Sequence, residues 1–163
     1  MLRTREMIPP LAARTHDGRT VHARDYKHKK NLVIAFLHSG CRRCEHFLER
    51  LAEHAVSLYE SEALVLAIFS EVPPTALAEP LPPEVVVAAD PTGSSQRAYL
   101  GKDAFGPGGQ RSVGVFVADR SGEIHAHWVV RTEEDLPSAA EVLGWLGQIE
   151  AACMEWGGSQ HSG

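Results

Sequence analysis

Leu32-Val33-Ile34-Ala35-Phe36-Leu37-His38-Ser39-Gly40-Cys41-Arg42-Arg43-Cys44-Glu45-His46-Phe47-Leu48 is the stretch whose reading decides the fold. Leu32 to Leu37 is a short, β-rich apolar run of the kind that forms a buried strand. After Cys44 the period changes. Phe47, Leu48, Leu51, Ala55, Leu58 and Tyr59 recur at helical spacing, with Glu45, Glu49, Arg50 and Glu53 between them. The pattern predicts a helix to about Ser61. A Cys-x-x-Cys therefore sits where a buried strand turns into a helix, and the placement is more informative than the motif alone.

The helix mouth is a chemical environment. Cys41 meets the first unpaired backbone N–H groups and the positive end of the macrodipole. Both favour thiolate, the nucleophile in disulfide exchange. Cys44 lies one turn on. Residues three apart on a helix hold their Cβ atoms roughly 5–6 Å apart, within disulfide reach after small adjustment. Cys41, at the exposed tip, is expected to attack, and Cys44, further in, to resolve the mixed disulfide. Arg42 and Arg43 stand between them. Two cations stabilise the dithiol form and move the couple toward the oxidising side. His38 can hydrogen-bond a thiolate or shuttle a proton; as a bland alternative it only lines the mouth.

The composition narrows the classes. A chain of 163 residues suggests one domain, 1–163, with its core at about 10–156 and a polar tail at 157–163. Apolar content of 44% and charged content of 23% are ordinary for a globular protein. Net charge is −5 and the basic residues are scattered, so no nucleic-acid partner is expected. Lys27-His28-Lys29-Lys30 reads as a solvated turn before the first core strand. Met1 to Pro10 has no apolar h-region, and the longest apolar run, Ala63 to Phe69, is too short to span a bilayer. The expectation is a cytoplasmic protein with no membrane partner. Three cysteines do not make a disulfide framework, and Cys153 reads as a packing residue.

Along the chain, Ala12 to His22 reads as a hairpin turning at Asp17-Gly18. Ala63 to Phe69 and Val85 to Ala89 are continuous apolar runs, as of strands covered on both faces. Between them lie five prolines from Pro73 to Pro83, with room for one helical turn at Thr75 to Glu79. Ser94 to Leu100 is a short helix, and Gly101 to Gly109 a mobile glycine-rich loop. Val113 to Asp119 and Glu123 to Val130 make a hairpin across Arg120-Ser121-Gly122. A helix from about Ser138 to Trp156 closes the chain, with Pro137 at its start.

This order resembles the thioredoxin superfamily, and within it the redoxin branch of peroxiredoxins and alkyl-hydroperoxide-reductase-related oxidoreductases. Asp17 to Val21, Phe36 to Cys44, Ala89-Asp90-Pro91 and Val115 to Ile124 carry the resemblance. It implies an α/β thioredoxin-like fold: a central mixed β-sheet flanked by helices, with an N-terminal β-hairpin extension. There are departures. Gly40 stands where thioredoxins carry Trp, Ala35 where they carry a buried acid, and Gly114 where the superfamily usually has a cis-proline against the disulfide. The peroxiredoxin Pro-x-x-x-Thr/Ser-x-x-Cys pattern is absent: His38 and Ile34 occupy the places counted back from Cys41. Arg111 is placed to play the peroxiredoxins' late-strand arginine.

The expected function is thiol–disulfide exchange through Cys41 and Cys44, supported by His38, Gly40, Arg42, Arg43, Arg111 and Gly114. The cofactor is none beyond the redox-active disulfide itself. Partners are protein or small-molecule thiols and disulfides, and the chain is expected as a monomer or weak homodimer. A Cys41 peroxidase resolved by Cys44 is the runner-up. A metal site for copper or zinc that adds His125 and His127 to the cysteines is a third reading, and an inactive scaffold with a reduced structural pair a fourth.

Overall fold

The computed structural model describes residues 3–71, 80–106, 108, 111–130 and 135–161, without the side chains of residues 103 and 153–161. The elements run β1 (Ala12–Arg14), β2 (Thr20–His22), β3 (Asn31–Phe36), α1 (Arg42–Glu53), α2 (Ala55–Glu60), β4 (Ala63–Phe69), β5 (Val85–Ala89), α3 (Ser94–Leu100), β6 (Val113–Ala118), β7 (Ile124–Val130) and α4 (Ala139–His161). The expected turn at Thr75 to Glu79, the packing role of Cys153 and the last two residues of the tail lie outside the described residues.

One mixed sheet orders its strands β2-β1-β5-β4-β3-β6-β7. β3, β4 and β5 are parallel, while β6 and β7 run antiparallel. Every residue of β3 and β4 is buried, the reason both read as unbroken apolar runs rather than alternating ones. Alternation still decides which face each side chain meets. Val33, Ala35 and Leu37 share one cluster with Cys44, Phe47, Leu51, Leu58 and Leu146 of the helices α1, α2 and α4. Leu32, Ile34 and Phe36 share the other with Tyr99 and Leu100 of α3. The predicted hairpin extension is present, and it joins the sheet through the bridge between Arg14 and Ala89.

Several boundaries differ from the sequence reading. β3 begins at Asn31, which is fully buried and donates from Nδ2 to the Ser61 carbonyl at 2.9 Å and Glu150 Oε1 at 2.7 Å. Both bonds fall on the amide nitrogen; among the described residues the buried Oδ1 has no hydrogen-bond partner. The helix expected to run to Ser61 breaks at His54, where φ is −101° and ψ 33°. The His54 N–H bonds back to the Leu51 carbonyl at 3.0 Å, a tightened turn that restarts the helix as α2. The restart buries Leu58 fully but leaves Tyr59 67% exposed, off the expected apolar stripe. Gly101–Ala104 is a 3-10 turn within the stretch read as a loop. The last helix runs past Trp156 to His161. Its entry is capped by Ser138, whose Oγ accepts from the Glu141 N–H at 3.1 Å, so Pro137 precedes the cap.

The β6–β7 turn is held by Asp119. Its Oδ1 accepts from the Ser121 N–H at 2.9 Å, the Ser121 hydroxyl at 2.6 Å and the Glu123 N–H at 3.1 Å. Its Oδ2 pairs with His125 Nε2 at 2.9 Å. Burial works to raise its pKa, but the hydrogen bonds from Ser121, His125 and Glu123 together outweigh that and hold it below the usual carboxylate range. A carboxylate depressed in the fold contributes stability above its unfolded pKa of about 4, and loses it as pH falls through the folded value. Asp119→Ala is therefore expected to cost about 1–2 kcal/mol at neutral pH by urea denaturation. The difference from the parent should shrink below pH ~4.

Candidate active site

The chain leaves β3 just before Leu37, whose N–H still donates to the Ile68 carbonyl at 2.9 Å, and enters α1 only five residues later, at Arg42. Gly40 makes that short reversal with φ +72°. Left-handed backbone strains any L side chain, which is why glycine fits where thioredoxins carry tryptophan. The Ser39 hydroxyl donates to the Glu71 carbonyl at 2.9 Å and ties the turn to the segment after β4.

Cys41 is the N-cap of α1. Its backbone is extended, with φ −94° and ψ 114°, and its Sγ accepts from the Cys44 N–H at 3.2 Å. A sulfur in the N-cap position satisfies one of the helix's first orphan donors. Cys41 is half-buried, whereas Cys44 is fully buried. The Cys44 Sγ accepts from the His38 backbone N–H at 3.5 Å. The two cysteines are not joined in a disulfide. Arg42 and Arg43 are exposed on the first turn of α1, where two cations face the positive end of the macrodipole.

The supporting residues are arranged differently from the sequence reading. The His38 ring is bonded through Nε2 to the Arg111 backbone carbonyl, so the group that His38 places on a sulfur is its main-chain N–H. The Arg111 guanidinium is not aimed at the cysteines. It donates to the Asp90 carbonyl at 2.7 Å and also to the Pro91 carbonyl, clamping the turn before α3. Asp90 and Gln96, which sequence reasoning passed over as site supports, complete that clamp. Buried Asp90 accepts the Gln96 N–H at 3.1 Å, and Gln96 Nε2 donates to the Ser112 carbonyl at 2.6 Å. The Asp90-Pro91 dipeptide was the available signal.

Gly114 is a further correction. It pairs with Phe36 inside β6, and a Cβ built on it would lie 2.9 Å from Leu100 Cδ2. That is the α3 face of the sheet, opposite the cysteines. Val113, its neighbour, belongs to the Cys44 cluster. Gly114 is thus glycine because Leu100 fills its side-chain space. Gly114→Ala should overpack that core and lower stability by about 1–3 kcal/mol in urea titration. The redox midpoint of the cysteine pair should stay unchanged.

The expected Cys–His metal set is not brought together. β6 runs antiparallel to β3, so Gly114 lies beside Phe36 at the cysteine end, and Ala118 and Ile124 lie beside Leu32 at the other end. His125 and His127 therefore stand away from the cysteines, by roughly 20 Å along the strand for His125. They do not share a face either. The register shifts between Val117 and Ala118; His125 turns to Asp119, and His127 stacks on Phe116 at 6.3 Å. Among the described residues, the convergence of three metal-competent side chains is Asp119, Glu123 and His125, which includes no cysteine.

A mixed sheet with helices on both faces, carrying a dithiol at the strand-to-helix junction, defines the thioredoxin-like fold. Comparison with solved structures bears that out. A Chlorobium tepidum protein assigned as the thiol:disulfide interchange protein DsbE superposes with TM-score 0.65 and 20% identity, over 90% of this chain and 99% of that one. The reduced 2-Cys peroxiredoxin of Plasmodium vivax gives TM-score 0.74 and 17% identity, over 91% and 82%. Mycobacterium tuberculosis AhpC gives 0.73 and 15%, over 93% and 95%. No family model and no curated protein matches the sequence. The likeness is one of fold: the chain has the thioredoxin-like architecture of these structures. Among the described residues no helix is long and apolar enough to cross a membrane.

Proposed function

We propose that this chain is a thiol–disulfide oxidoreductase working through Cys41 and Cys44. One observation carries the reading: a half-exposed cysteine caps α1 and accepts the N–H of a second, fully buried cysteine at 3.2 Å. In the reducing direction the Cys41 thiolate attacks a substrate disulfide. The substrate S–S bond breaks, one substrate sulfur leaves as a thiolate and takes up a proton. Cys44, having given up its proton, then attacks the Cys41 sulfur of the mixed disulfide. The second substrate thiol leaves, two electrons have passed to the substrate, and the protein holds a Cys41–Cys44 disulfide. The same steps reversed oxidise a dithiol. No further cofactor is required, and the partners are thiols and disulfides.

The peroxidase reading has less support. In peroxiredoxins a Thr or Ser three residues before the reactive cysteine holds the peroxide; His38 stands there, with its ring engaged by the Arg111 carbonyl. A redox titration in graded thiol–disulfide buffers with chelator, read by thiol alkylation and mass, tests the proposal. The expected result is a reversible two-electron transition with a midpoint above the thioredoxin value of about −270 mV, toward the oxidising value of about −120 mV. Failure to form an intramolecular disulfide at any poise overturns it. Cys41-dependent consumption of hydrogen peroxide at a comparable rate would move the reading to a peroxidase.

A further inference from the structure

The basic run Lys27-His28-Lys29-Lys30 follows a 3-10 turn at Ala23–Tyr26 and is fixed in place. The Lys30 N–H donates to the Tyr26 carbonyl at 2.9 Å, and the His28 N–H to the Arg120 carbonyl at 2.7 Å. The second bond ties the run to the β6–β7 turn, with His28 in left-handed backbone at φ +65°. A residue other than glycine keeps that conformation where its surroundings fix it. This is the end of β3 that carries Leu32, opposite the cysteine end.

Between these turns and the N-terminal segment lies a cavity of about 220 Å³, partly open to solvent. Buried Leu11, Ala23 and Leu32 line it, with Ile8 and Pro9. Arg24, Lys27 and Lys30 line it as well. Among the described residues none of these three has an ion pair. Arg120, a further cation of the lining, is taken by Glu62 and Glu150. Asp119 is the one carboxylate among the lining residues, and both its oxygens are bonded within the β6–β7 hairpin. The carboxylate of Asp25, next to Arg24 in the chain, accepts the His22 N–H at 3.0 Å. On a chain of net charge −5, three unpaired cations beside an apolar cavity are a local feature.

We propose that this cavity binds a small amphipathic carboxylate, with its hydrocarbon body inside and its charge against Arg24, Lys27 and Lys30. An apolar concavity with a few polar groups that fix orientation is the usual form of a small-molecule site. The volume sets the body. A dry cavity of about 150 Å³ holds a benzene ring, so this one takes about eight carbons. The lining sets the head. The N–H groups of Ile8 and His28 beside the cavity already donate to the Gly122 and Arg120 carbonyls, so they do not form the cradle of N–H groups that a phosphate uses. What is offered instead is cations on long stems, which pair with one carboxylate and lay their methylenes along the hydrocarbon. The site involves no redox step and stands whether or not Cys41 and Cys44 exchange disulfides.

The probe is octanoate, followed by amide chemical shifts in the isotope-labelled full chain. Two comparators divide the ligand: octanamide keeps the body without the charge, and acetate keeps the charge without the body. Octanoate should shift the amides of Ala23, Leu32 and Gly122 saturably. It should bind about fivefold tighter than octanamide, the gain that one or two exposed ion pairs supply. Acetate should not saturate. The preference for octanoate should fade as salt rises to ~1 M. It should vanish in Arg24→Gln/Lys27→Gln/Lys30→Gln, with octanamide binding unchanged. Ala23→Leu fills the cavity and should weaken both eight-carbon ligands about tenfold. Urea midpoints show whether each variant folds, and the triple surface variant decides the matter if Ala23→Leu does not. Octanamide bound as tightly as octanoate, or a preference that survives the triple variant, overturns the inference. So does acetate or inorganic phosphate that saturates the same amides as tightly as octanoate, or octanoate shifts that lie elsewhere in the chain.

Discussion

Cys41→Ser is expected to reduce thiol–disulfide exchange to the uncatalysed background while leaving the fold as stable as the parent or slightly more so. The two halves have separate causes. Exchange needs a sulfur nucleophile, and a hydroxyl neither attacks a disulfide at neutral pH nor forms one. The fold asks something else of this position. Cys41 is the N-cap of α1 and its Sγ accepts from the Cys44 N–H. Serine is among the preferred N-cap residues, so its Oγ should take over that bond and add up to about 1 kcal/mol. Cys44→Ser should behave differently. A hydroxyl in that fully buried site should cost about 1–3 kcal/mol, and the variant should accumulate mixed disulfides on Cys41 that are never resolved. Insulin-type turnover, alkylation mass spectra and urea midpoints on the two variants read all of this. A Cys41→Ser protein with undiminished exchange would remove the proposed function.

Phe116→Ala is expected to give the largest loss of stability. Phe116 is fully buried on the α3 face of the sheet. Its ring stands edge-on to Tyr99 at 5.4 Å and to Phe36 at 6.3 Å, and stacks on His127 at 6.3 Å. Removing a ring from a close-packed cluster forfeits its transfer free energy and leaves a cavity that rigid strands cannot close, about 3–5 kcal/mol in all. Domains of ordinary stability hold about 5–15 kcal/mol, so the loss is a large share of the total. For a chain of this size it corresponds to a fall in Tm of about 10–15 °C. The redox midpoint of the variant should match the parent, because Phe116 and Cys44 lie in clusters on opposite faces. A Tm loss of only one or two degrees would mean that this cluster is not packed as described.

Much of the architecture was legible from periodicity. The strands Ala63–Phe69 and Val85–Ala89 and the helix Ser94–Leu100 stand where their apolar runs and turn residues put them. The dithiol at the helix mouth was legible for the same reason: a period change fixes where a strand becomes a helix, and the helix end dictates the chemistry. The break at His54 was not, because an apolar stripe continues through it and the kink shows only in backbone angles.

The functional neighbourhood was less legible than the cysteines. Arg111 and His38 have side chains long enough to reach the sulfurs, and spacing says nothing about which of several carbonyls captures them. The fold decides it by bringing the Asp90-Pro91 turn beside the start of β6, so the guanidinium clamps that turn and the His38 ring takes the Arg111 carbonyl. Gly114 was read by alignment as facing the cysteines, but the pleat puts it against Leu100. His125 and His127 were grouped with the cysteines as a metal set, but the antiparallel register of β6 and β7 carries them away from the cysteine end of the sheet.

By itself, then, the sequence determined the order of elements, the two-sided burial of the central strands and the pair Cys41 and Cys44 at the mouth of α1. Each of these follows from local pattern, where neighbours in the chain are neighbours in space. Only the tertiary structure decided which face each strand residue meets and which carbonyls hold His38 and Arg111. Those depend on pairing register and on contacts between residues far apart in the chain, and local pattern carries no information about either.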